Sequence, residues 1–207
     1  MSSSPPGSRE LPKPVDVRAA LTEVSERLSL IPGDRALIGG VALAFHGVER
    51  FTKDADFAVT LAQTDGAAVV FADSDPRPLR VGGISVLTKS GVRVDLVDRR
   101  HELQPLFEEA IAAANRKGSP RARIGELEIP VVPVSYLVAM KLAAGRARDE
   151  WDVDQLLRLP TVDYGATREL VKRFLGAFAA RYLDRLARAA GRKDAPRDYE
   201  AEEPNGG

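Results

Sequence analysis

Two short motifs contain residues whose types and spacing could support chemistry. Asp54 and Asp56 are separated by a single residue. Alternate residues of a strand point to the same side, so both carboxylates face one point. Like charges this close repel unless a divalent cation lies between them. Gly39 and Gly40 precede a predicted helix, where exposed backbone N–H groups bind anions. A metal site beside a phosphate site indicates a nucleotide.

Asp95 supplies a third carboxylate. Its neighbours Val94 and Leu96 are apolar, so on a strand they point away from the side that Asp95 faces. If this strand lies beside the one carrying Asp54 and Asp56, three carboxylates converge on a site for Mg²⁺ or Mn²⁺. Each motif alone is more often a simple turn or a solvated strand face, whereas their order and spacing together favour the metal site.

Composition excludes several other kinds of site. The 207 residues contain 30 basic and 30 acidic side chains, so no overall field favours nucleic acid or a membrane surface. The absence of cysteine excludes disulfides, thiolate metal sites and thiol nucleophiles, and two histidines are too few for a histidine-rich zinc site. Without a signal-peptide core or a run of 18 apolar residues, we expect a cytoplasmic protein with no membrane contact.

Periodicity predicts the elements that position these motifs. Both ends, 1–14 and 191–207, are rich in proline, glycine and charge and are predicted to be disordered. Residues 67–71 fit a helix or a strand, and 75–78 are predicted to be a loop. Helices are predicted at 15–30, 41–46, 103–114, 134–146, 149–159 and 166–190, strands at 36–38 and 57–60, and hairpins at 83–97 and 121–132.

The order of these motifs resembles the DNA polymerase beta-like nucleotidyltransferase superfamily, whose pattern is hG[GS]…DxD…hDh. More narrowly, GGVALAFHGVERFTKDADFAV and YLVAMKLAAGRARDEWDVDQLL are similar to the AbiEii-type group, which is type IV toxin-like. The similar parts span roughly residues 38–157. The resemblance implies an α+β nucleotidyltransferase fold, in which a small mixed sheet flanked by helices (15–132) precedes a helical C-terminal region (133–190).

The resemblance also implies roles for individual residues. Gly39 and Gly40 would lie against the triphosphate of an NTP, and Lys141 would contact phosphate. The metal would be held by three carboxylates, those of Asp54, Asp56 and Asp95, the last of which would also orient or deprotonate the acceptor hydroxyl. Arg50 and Thr52 match positions of the group, and for them a structural contact to an aspartate and substrate binding both stay open.

The sequence around Lys141 supports an anionic partner independently. It is the only charged residue between Val134 and Gly145, in a helix that is apolar almost all round. A lone buried lysine costs free energy unless it is paired with an anion, and the alternative is a side chain that extends to the surface. We expect Asp149 and Asp152 to cap a helix and pair with arginines, which leaves Arg148 as a candidate phosphate contact.

The remaining side chains are assigned structural roles. Trp151 is predicted to lie in the core, and His46 to have a packing or polar structural role. The last helix is predicted to present an apolar stripe to the core at Leu170, Phe174, Phe178, Tyr182 and Leu186. Its other face carries six basic and two acidic residues, which is typical of a solvated face and could also follow an RNA backbone: Arg168, Lys172, Arg173, Arg181, Arg185 and Arg188 against Glu169 and Asp184.

The predicted activity is metal-dependent transfer of an NMP from an NTP to an acceptor hydroxyl, with release of pyrophosphate. The resemblance implies the toxin of a type IV toxin–antitoxin system with a cognate antitoxin, and some members of the group modify the 3′ end of tRNA. Another RNA, protein hydroxyls or small molecules such as an antibiotic stay open as acceptors. The alternative is a catalytically inactive nucleotide- or RNA-binding regulatory module, against which the presence of all three carboxylates argues.

Overall fold

The computed structural model describes residues 16–49 and 52–196, and it has the predicted mixed α/β architecture. Five strands form one sheet in the order β1-β2-β5-β4-β3, in which β2 and β5 are parallel and the other neighbours are antiparallel. The strands are β1 Arg35–Ile38, β2 Ala55–Val59, β3 Arg77–Pro78, β4 Ile84–Leu87 and β5 Arg93–Val97, and a separate hairpin contains β6 Arg121–Ile124 and β7 Leu127–Pro130.

Helices flank the sheet and form the second half of the chain. They are α1 Val17–Leu28, α2 Gly39–Phe45, α3 Leu61–Val70, α4 Gln104–Asn115, α5 Val134–Ala144, α6 Ala147–Leu157 and α7 Tyr164–Ala189. In the described residues, no helix has the length and apolar character needed to cross a membrane. Both predicted hairpins are confirmed, the ambiguous segment is part of α3, and the predicted loop at 75–78 contains β3 because Arg77 pairs with Ser85.

The centre of the sheet fixes the direction of the acidic side chains. β2 and β5 pair so that Asp56 lies opposite Asp95 and Phe57 lies opposite Leu96. Phe57 and Leu96 are fully buried in the core. Because successive side chains alternate between the two faces of a sheet, Asp56 and Asp95 share the other face.

A tight connection brings α6 back against α5. Gly145 ends α5 in the left-handed conformation (φ 62°), which glycine adopts without steric cost. Arg146 then precedes the first residue of α6, so the acidic first turn of α6 returns to the last turns of α5. Most of α5 is buried, as its continuous apolar sequence predicts.

The prediction of one long final helix is wrong, because α7 reverses direction at Gly176. This residue has φ 86° and ψ 173°, which is not helical. Arg168 Nε lies 2.7 Å from Asp184 Oδ1, and the Tyr164 hydroxyl also donates to Asp184. A straight helix would separate residues 168 and 184 by about 24 Å. The two halves, 164–175 and 177–189, therefore pack against each other as a helical hairpin.

This reversal also explains why the predicted apolar stripe is only partly correct: Leu170, Phe174 and Leu186 pack against the core. Residues spaced by four drift about 40° around a helix at each step, and the turn at Gly176 changes the phase again. Phe178, assigned to the stripe, is 78% exposed. The buried face instead includes Thr167 and Val171 before the turn and Ala180, Leu183 and Ala187 after it.

The basic face of this segment is smaller than predicted. Asp184 is buried and paired with Arg168, so neither belongs to an open charged surface. Arg173 pairs with Glu109 of α4, whose second partner is the hydroxyl of Tyr136.

The predicted disordered N-terminus lies outside the described residues, as does the predicted disordered tail from residue 197 onward. Within the part of that tail that is described, Arg192 donates to the carbonyl oxygens of Leu157 (3.1 Å) and Val162 (3.0 Å). These bonds join the connection between α6 and α7 to the chain that follows α7.

Candidate active site

A cavity of about 320 Å³ lies on the acidic face of the sheet. Asp54, Asp56 and Asp95 all line it, as the sequence predicts. The end of β1, the start of α2, and helices α5 and α6 complete its walls. The structure therefore brings the predicted carboxylates, both glycines, Thr52, Lys141 and Arg148 to one place.

Asp56 and Asp95 are the centre of this cavity. They are direct neighbours on parallel strands, which are spaced about 4.8 Å apart. Burial and the nearby charges of Asp95 and Asp54 raise the pKa of Asp56 to about 6, against the opposing effect of Lys141. An anion with such neighbours is stabilised by a cation.

The oxygen ligands available here fit a hard divalent cation such as Mg²⁺ or Mn²⁺. Within residues 16–49 and 52–196, however, no three histidine, aspartate or glutamate side chains are already arranged to hold a metal ion. Coordination by Asp54, Asp56 and Asp95 therefore stays a prediction. The structure supports the choice of ligand atoms through the facing pair Asp56 and Asp95.

The two glycines are required by what lies against them. Gly39 has φ +65°, and a Cβ atom there would lie 1.9 Å from Asp56 Oδ2. A Cβ atom on Gly40 would lie 2.8 Å from Thr52 Oγ1. The backbone at the start of α2 therefore runs directly against the Asp56 carboxylate, which no larger residue would permit. Contact of Gly39 and Gly40 with a triphosphate stays a prediction.

Thr52 shapes the loop that leads into β2. Its hydroxyl donates to the carbonyl oxygen of Asp54 at 2.8 Å, which holds the turn before the acidic strand. This bond supports a structural role for Thr52. Thr52 also lines the cavity, and its contact with substrate stays a prediction. Arg50, the other residue for which both roles were open, lies outside the described residues.

Lys141 has the anionic partners that its sequence context predicts, and they belong to the protein. Its Nζ lies 3.1 Å from Asp149 Oδ1 and 2.7 Å from Asp152 Oδ2. The lysine side chain is 7% exposed and each carboxylate 1%, so the alternative of a lysine extending to the surface is wrong. Lys141 also lines the cavity beside Asp56, and its contact with substrate phosphate stays a prediction.

The first turn of α6 is capped as predicted. The Asp149 carboxylate accepts from the backbone N–H of Arg146 at 3.3 Å and from its Nε at 2.6 Å. The prediction thus holds for Asp149, whereas Asp152 pairs with Lys141. Arg148 is exposed at the cavity wall, and phosphate binding by this residue stays a prediction.

Of two further side chains assigned from the sequence, one was predicted correctly. His46 has a structural role, since its Nε2 lies 2.8 Å from the carbonyl oxygen of Val132, and burial lowers its pKa. Trp151 is not in the core: it is 50% exposed. The face that α6 buries instead contains Val153, Leu156 and Leu157, together with Asp149 and Asp152, which meet Lys141.

Sequence reasoning missed two charged residues of the cavity, Arg99 and Arg146. Arg99 follows Asp95 by four residues, and in a strand the side chains of 95, 97 and 99 would share one face. That alternation was the available signal. The backbone of Arg99 has φ 25°, a conformation that is uncommon for residues other than glycine and is not readable from the sequence.

Comparison with solved structures identifies the same fold. A nucleotidyltransferase-like antigenic protein from Paracoccidioides brasiliensis is 15% identical, with 84% of this chain and 91% of that chain covered and a TM-score of 0.52. A putative nucleotidyltransferase from Thermotoga maritima is 16% identical, with 67% and 91% covered and a TM-score of 0.47. The antibiotic-resistance factor ANT(2″)-Ia is 16% identical, with 83% and 91% covered and a TM-score of 0.43.

Sequence comparison agrees with the fold. No curated protein matches this chain significantly. A sequence model of one family, described as the nucleotidyl transferase AbiEii toxin of type IV toxin–antitoxin systems, matches residues 31–205. The match covers most of the chain and includes every cavity residue described above. The chain therefore belongs to the AbiEii nucleotidyltransferase family.

Proposed function

We propose that this nucleotidyltransferase transfers an NMP from an NTP to an acceptor hydroxyl in a reaction that depends on a divalent cation. The observation that carries this proposal is the register of β2 and β5, which sets Asp56 beside Asp95 on the wall of the cavity. Gly39 lies against the same carboxylate and supports a phosphate site next to it.

In the proposed reaction, a bond forms between the acceptor oxygen and the α-phosphorus of the NTP. The bond between the α-phosphorus and the bridging oxygen to the β-phosphorus breaks, and pyrophosphate leaves with that oxygen. Asp95 orients the acceptor hydroxyl and accepts its proton. The start of α2 at Gly39 and Gly40 holds the triphosphate through backbone N–H groups, with Arg148 and Lys141 as cationic contacts.

Asp54, Asp56 and Asp95 would hold the cation, as Mg²⁺ or Mn²⁺. When bound, it would neutralise charge on the phosphate oxygens and on the facing carboxylates. The raised pKa of Asp56 supports this assignment, because the carboxylates repel one another without a cation.

The biological setting that we propose is that of a type IV toxin with a cognate antitoxin, acting on tRNA. The family match supports the toxin assignment. Exposed basic residues on α6 and α7, such as Arg148, Arg181 and Arg185, offer contacts for an RNA backbone.

Labelling with radioactive NTPs tests the activity. The wild-type protein, Asp54→Ala and the control Asp65→Ala are incubated with each NTP, Mg²⁺ and total tRNA, with and without EDTA. Asp65 is exposed on α3 and does not line the cavity. We expect Asp54→Ala and EDTA each to reduce transfer at least about a hundredfold, and Asp65→Ala to leave it unchanged.

Equal labelling by wild type and Asp54→Ala would contradict the proposed site. Labelling of protein or of a small molecule in place of tRNA would contradict only the acceptor. Circular dichroism of each variant confirms that the loss is not due to unfolding.

A further inference from the structure

The cavity has two chemically different ends along the direction of the strands. Ile38 pairs with Asp56, so Gly39, which follows it, lies toward the start of β2. Val97 pairs with Ala58, so Arg99 lies beyond the end of β5 in the opposite direction. At about 3.3 Å per residue, four residues of strand span roughly 13 Å. Asp56 and Asp95 lie between the two ends.

Apolar side chains line the cavity beside Arg99, at the end beyond β5. Its lining includes Leu79, Val81, Val97 and Phe107. The turn that carries Val81 is held tightly to the strand, since a Cβ atom on Gly83 would lie 1.9 Å from the carbonyl oxygen of Leu96. An ionic contact made in such surroundings is stronger than one made in open solvent.

Arg99 is oriented without an acidic partner. Its guanidinium carbon lies 5.9 Å from the centre of the Phe107 ring. In the described part of the chain, no carboxylate forms an ion pair with it. Burial lowers the pKa of Arg99, and the charge of Arg146 lowers it further. Arg146 is paired with Asp149, so the guanidinium that an anion in this cavity would stabilise is that of Arg99.

The backbone at Arg99 is also unusual. Its φ of 25° lies in a region that few residues other than glycine adopt, and such conformations cluster at ligand sites. Arg99 lies two residues beyond the end of β5 and lines the cavity in this conformation.

We propose that Arg99 binds a phosphate group of the acceptor substrate, at the end of the cavity opposite Gly39 and Gly40. The inference rests on the proposed function, in which the glycine end holds the donor triphosphate. The planar guanidinium fork suits the paired oxygens of a phosphate. The acceptor is then a phosphorylated compound that places its phosphate at Arg99 and offers its hydroxyl at Asp95.

Binding measurements on the full chain test this inference without the natural acceptor. The protein is first saturated with a non-hydrolysable NTP analogue and Mg²⁺, and then titrated in a calorimeter with a nucleoside monophosphate, a short oligoribonucleotide, the unphosphorylated nucleoside or tobramycin. The first two probes separate a free nucleotide from a nucleic acid as the source of the phosphate.

The variants are Arg99→Gln, Arg99→Asn and the control Arg80→Gln. Asparagine tolerates a positive φ, so Arg99→Asn keeps the backbone even if glutamine disturbs it. Arg80 is exposed in the neighbouring turn and does not line the cavity, so its substitution makes the same change in net charge.

We expect at least one phosphorylated probe to bind the loaded wild type, and both Arg99 variants to weaken it about tenfold or more. Arg80→Gln should change its affinity less than about twofold, and the affinity for the NTP analogue should be the same in all proteins. The nucleoside and tobramycin should bind at least about tenfold more weakly than the phosphorylated probe.

Three results would overturn the inference. They are loss of NTP-analogue affinity in the Arg99 variants, equal binding of the phosphorylated probe by wild type and variants, and no binding of either phosphorylated probe to the loaded protein. Failure of the wild type to bind the NTP analogue with Mg²⁺ would instead reject the proposed function and this inference together.

Discussion

The Asp56 carboxylate is closely surrounded in this site. It is flanked by Asp95 across the sheet and by the backbone of Gly39, and its pKa is raised to about 6 by burial and like charge. Such a carboxylate is retained at a cost in folding stability, because its charged form is disfavoured in the folded protein. The cost is consistent with a residue kept for binding a cation.

Replacing Asp56 by asparagine should therefore stabilise the metal-free protein. At pH 8 we expect the free energy of unfolding to rise by about 1–3 kcal/mol, since an isosteric neutral side chain removes the repulsion from Asp95. Urea unfolding in EDTA measures the change. Asp54→Asn serves as the control and should have a smaller effect, because Asp54 is exposed. A destabilised Asp56→Asn protein would contradict the electrostatic argument.

Adding the metal should reverse this order of stability. Mg²⁺ should raise the melting temperature of the wild-type protein by a few degrees, because a ligand that binds only the folded state stabilises it. Asp56→Asn should show a smaller increase or none. Differential scanning calorimetry with and without Mg²⁺ checks this, and an equal increase in both proteins would show that Asp56 is not a ligand.

Gly39 permits a direct comparison of strain and contact. Gly39→Ala should lower the free energy of unfolding by about 2 kcal/mol more than Gly118→Ala. Both glycines have positive φ, but a Cβ atom on Gly118 would meet nothing within 4 Å, whereas one on Gly39 would clash with Asp56. Urea unfolding of the two variants measures the difference, and equal losses would mean that the close approach to Asp56 is unimportant.

At the scale of elements, the α5 and α6 pair is built around one buried charge. Lys141 is held by Asp149 and Asp152, and the turn at Gly145 brings these residues together. The lone lysine in an apolar helix was sufficient to predict an anionic partner. Its identity was not readable from the sequence, because phosphate and carboxylate satisfy a buried lysine equally well.

Removing this lysine should be strongly destabilising. Lys141→Met removes the cation that the buried Asp149 and Asp152 share and leaves Asp149 paired with Arg146 alone, so we expect a loss of about 3–5 kcal/mol in urea unfolding. The triple variant Lys141→Met, Asp149→Asn, Asp152→Asn should recover more than half of that loss, because it removes the buried charges as well. Arg158→Met is the control: its pair with Asp154 is half-exposed, so we expect a loss below about 1 kcal/mol. No recovery in the triple variant would contradict this assignment.

At the scale of the whole molecule, local patterns predicted the sheet better than the helical region. The hairpins at β4–β5 and β6–β7 follow from alternation and turn residues, and the acidic cavity follows from motif spacing. The reversal of α7 does not, because the residues around Gly176 all favour a helix and the turn is stabilised by contacts distant in sequence, such as Arg168 with Asp184. The position of Arg99 in the cavity was also not predictable from local patterns, because it depends on the positive φ of that residue.

Gly176 is therefore the residue that decides between a hairpin and a straight helix. Alanine is strained at φ 86° and ψ 173° and favours a continuous helix by about 1 kcal/mol relative to glycine. We expect Gly176→Ala to form a dimer in which 177–189 pack onto 164–175 of a second molecule. Light scattering after size-exclusion chromatography measures this, and a purely monomeric, equally stable variant would contradict it.

The register of β2 and β5 has a consequence for when the enzyme becomes active. Asp56 and Asp95 are 39 residues apart in sequence. They face each other only in this register of the two parallel strands. A slip of one residue would place Leu96 beside Asp56 and turn Asp95 toward the core. Parallel pairs with long connections form slowly, because loop closure precedes the contacts that stabilise them. A partly folded chain thus lacks the facing pair of carboxylates, and the acidic wall of the cavity forms only when the central strands are aligned.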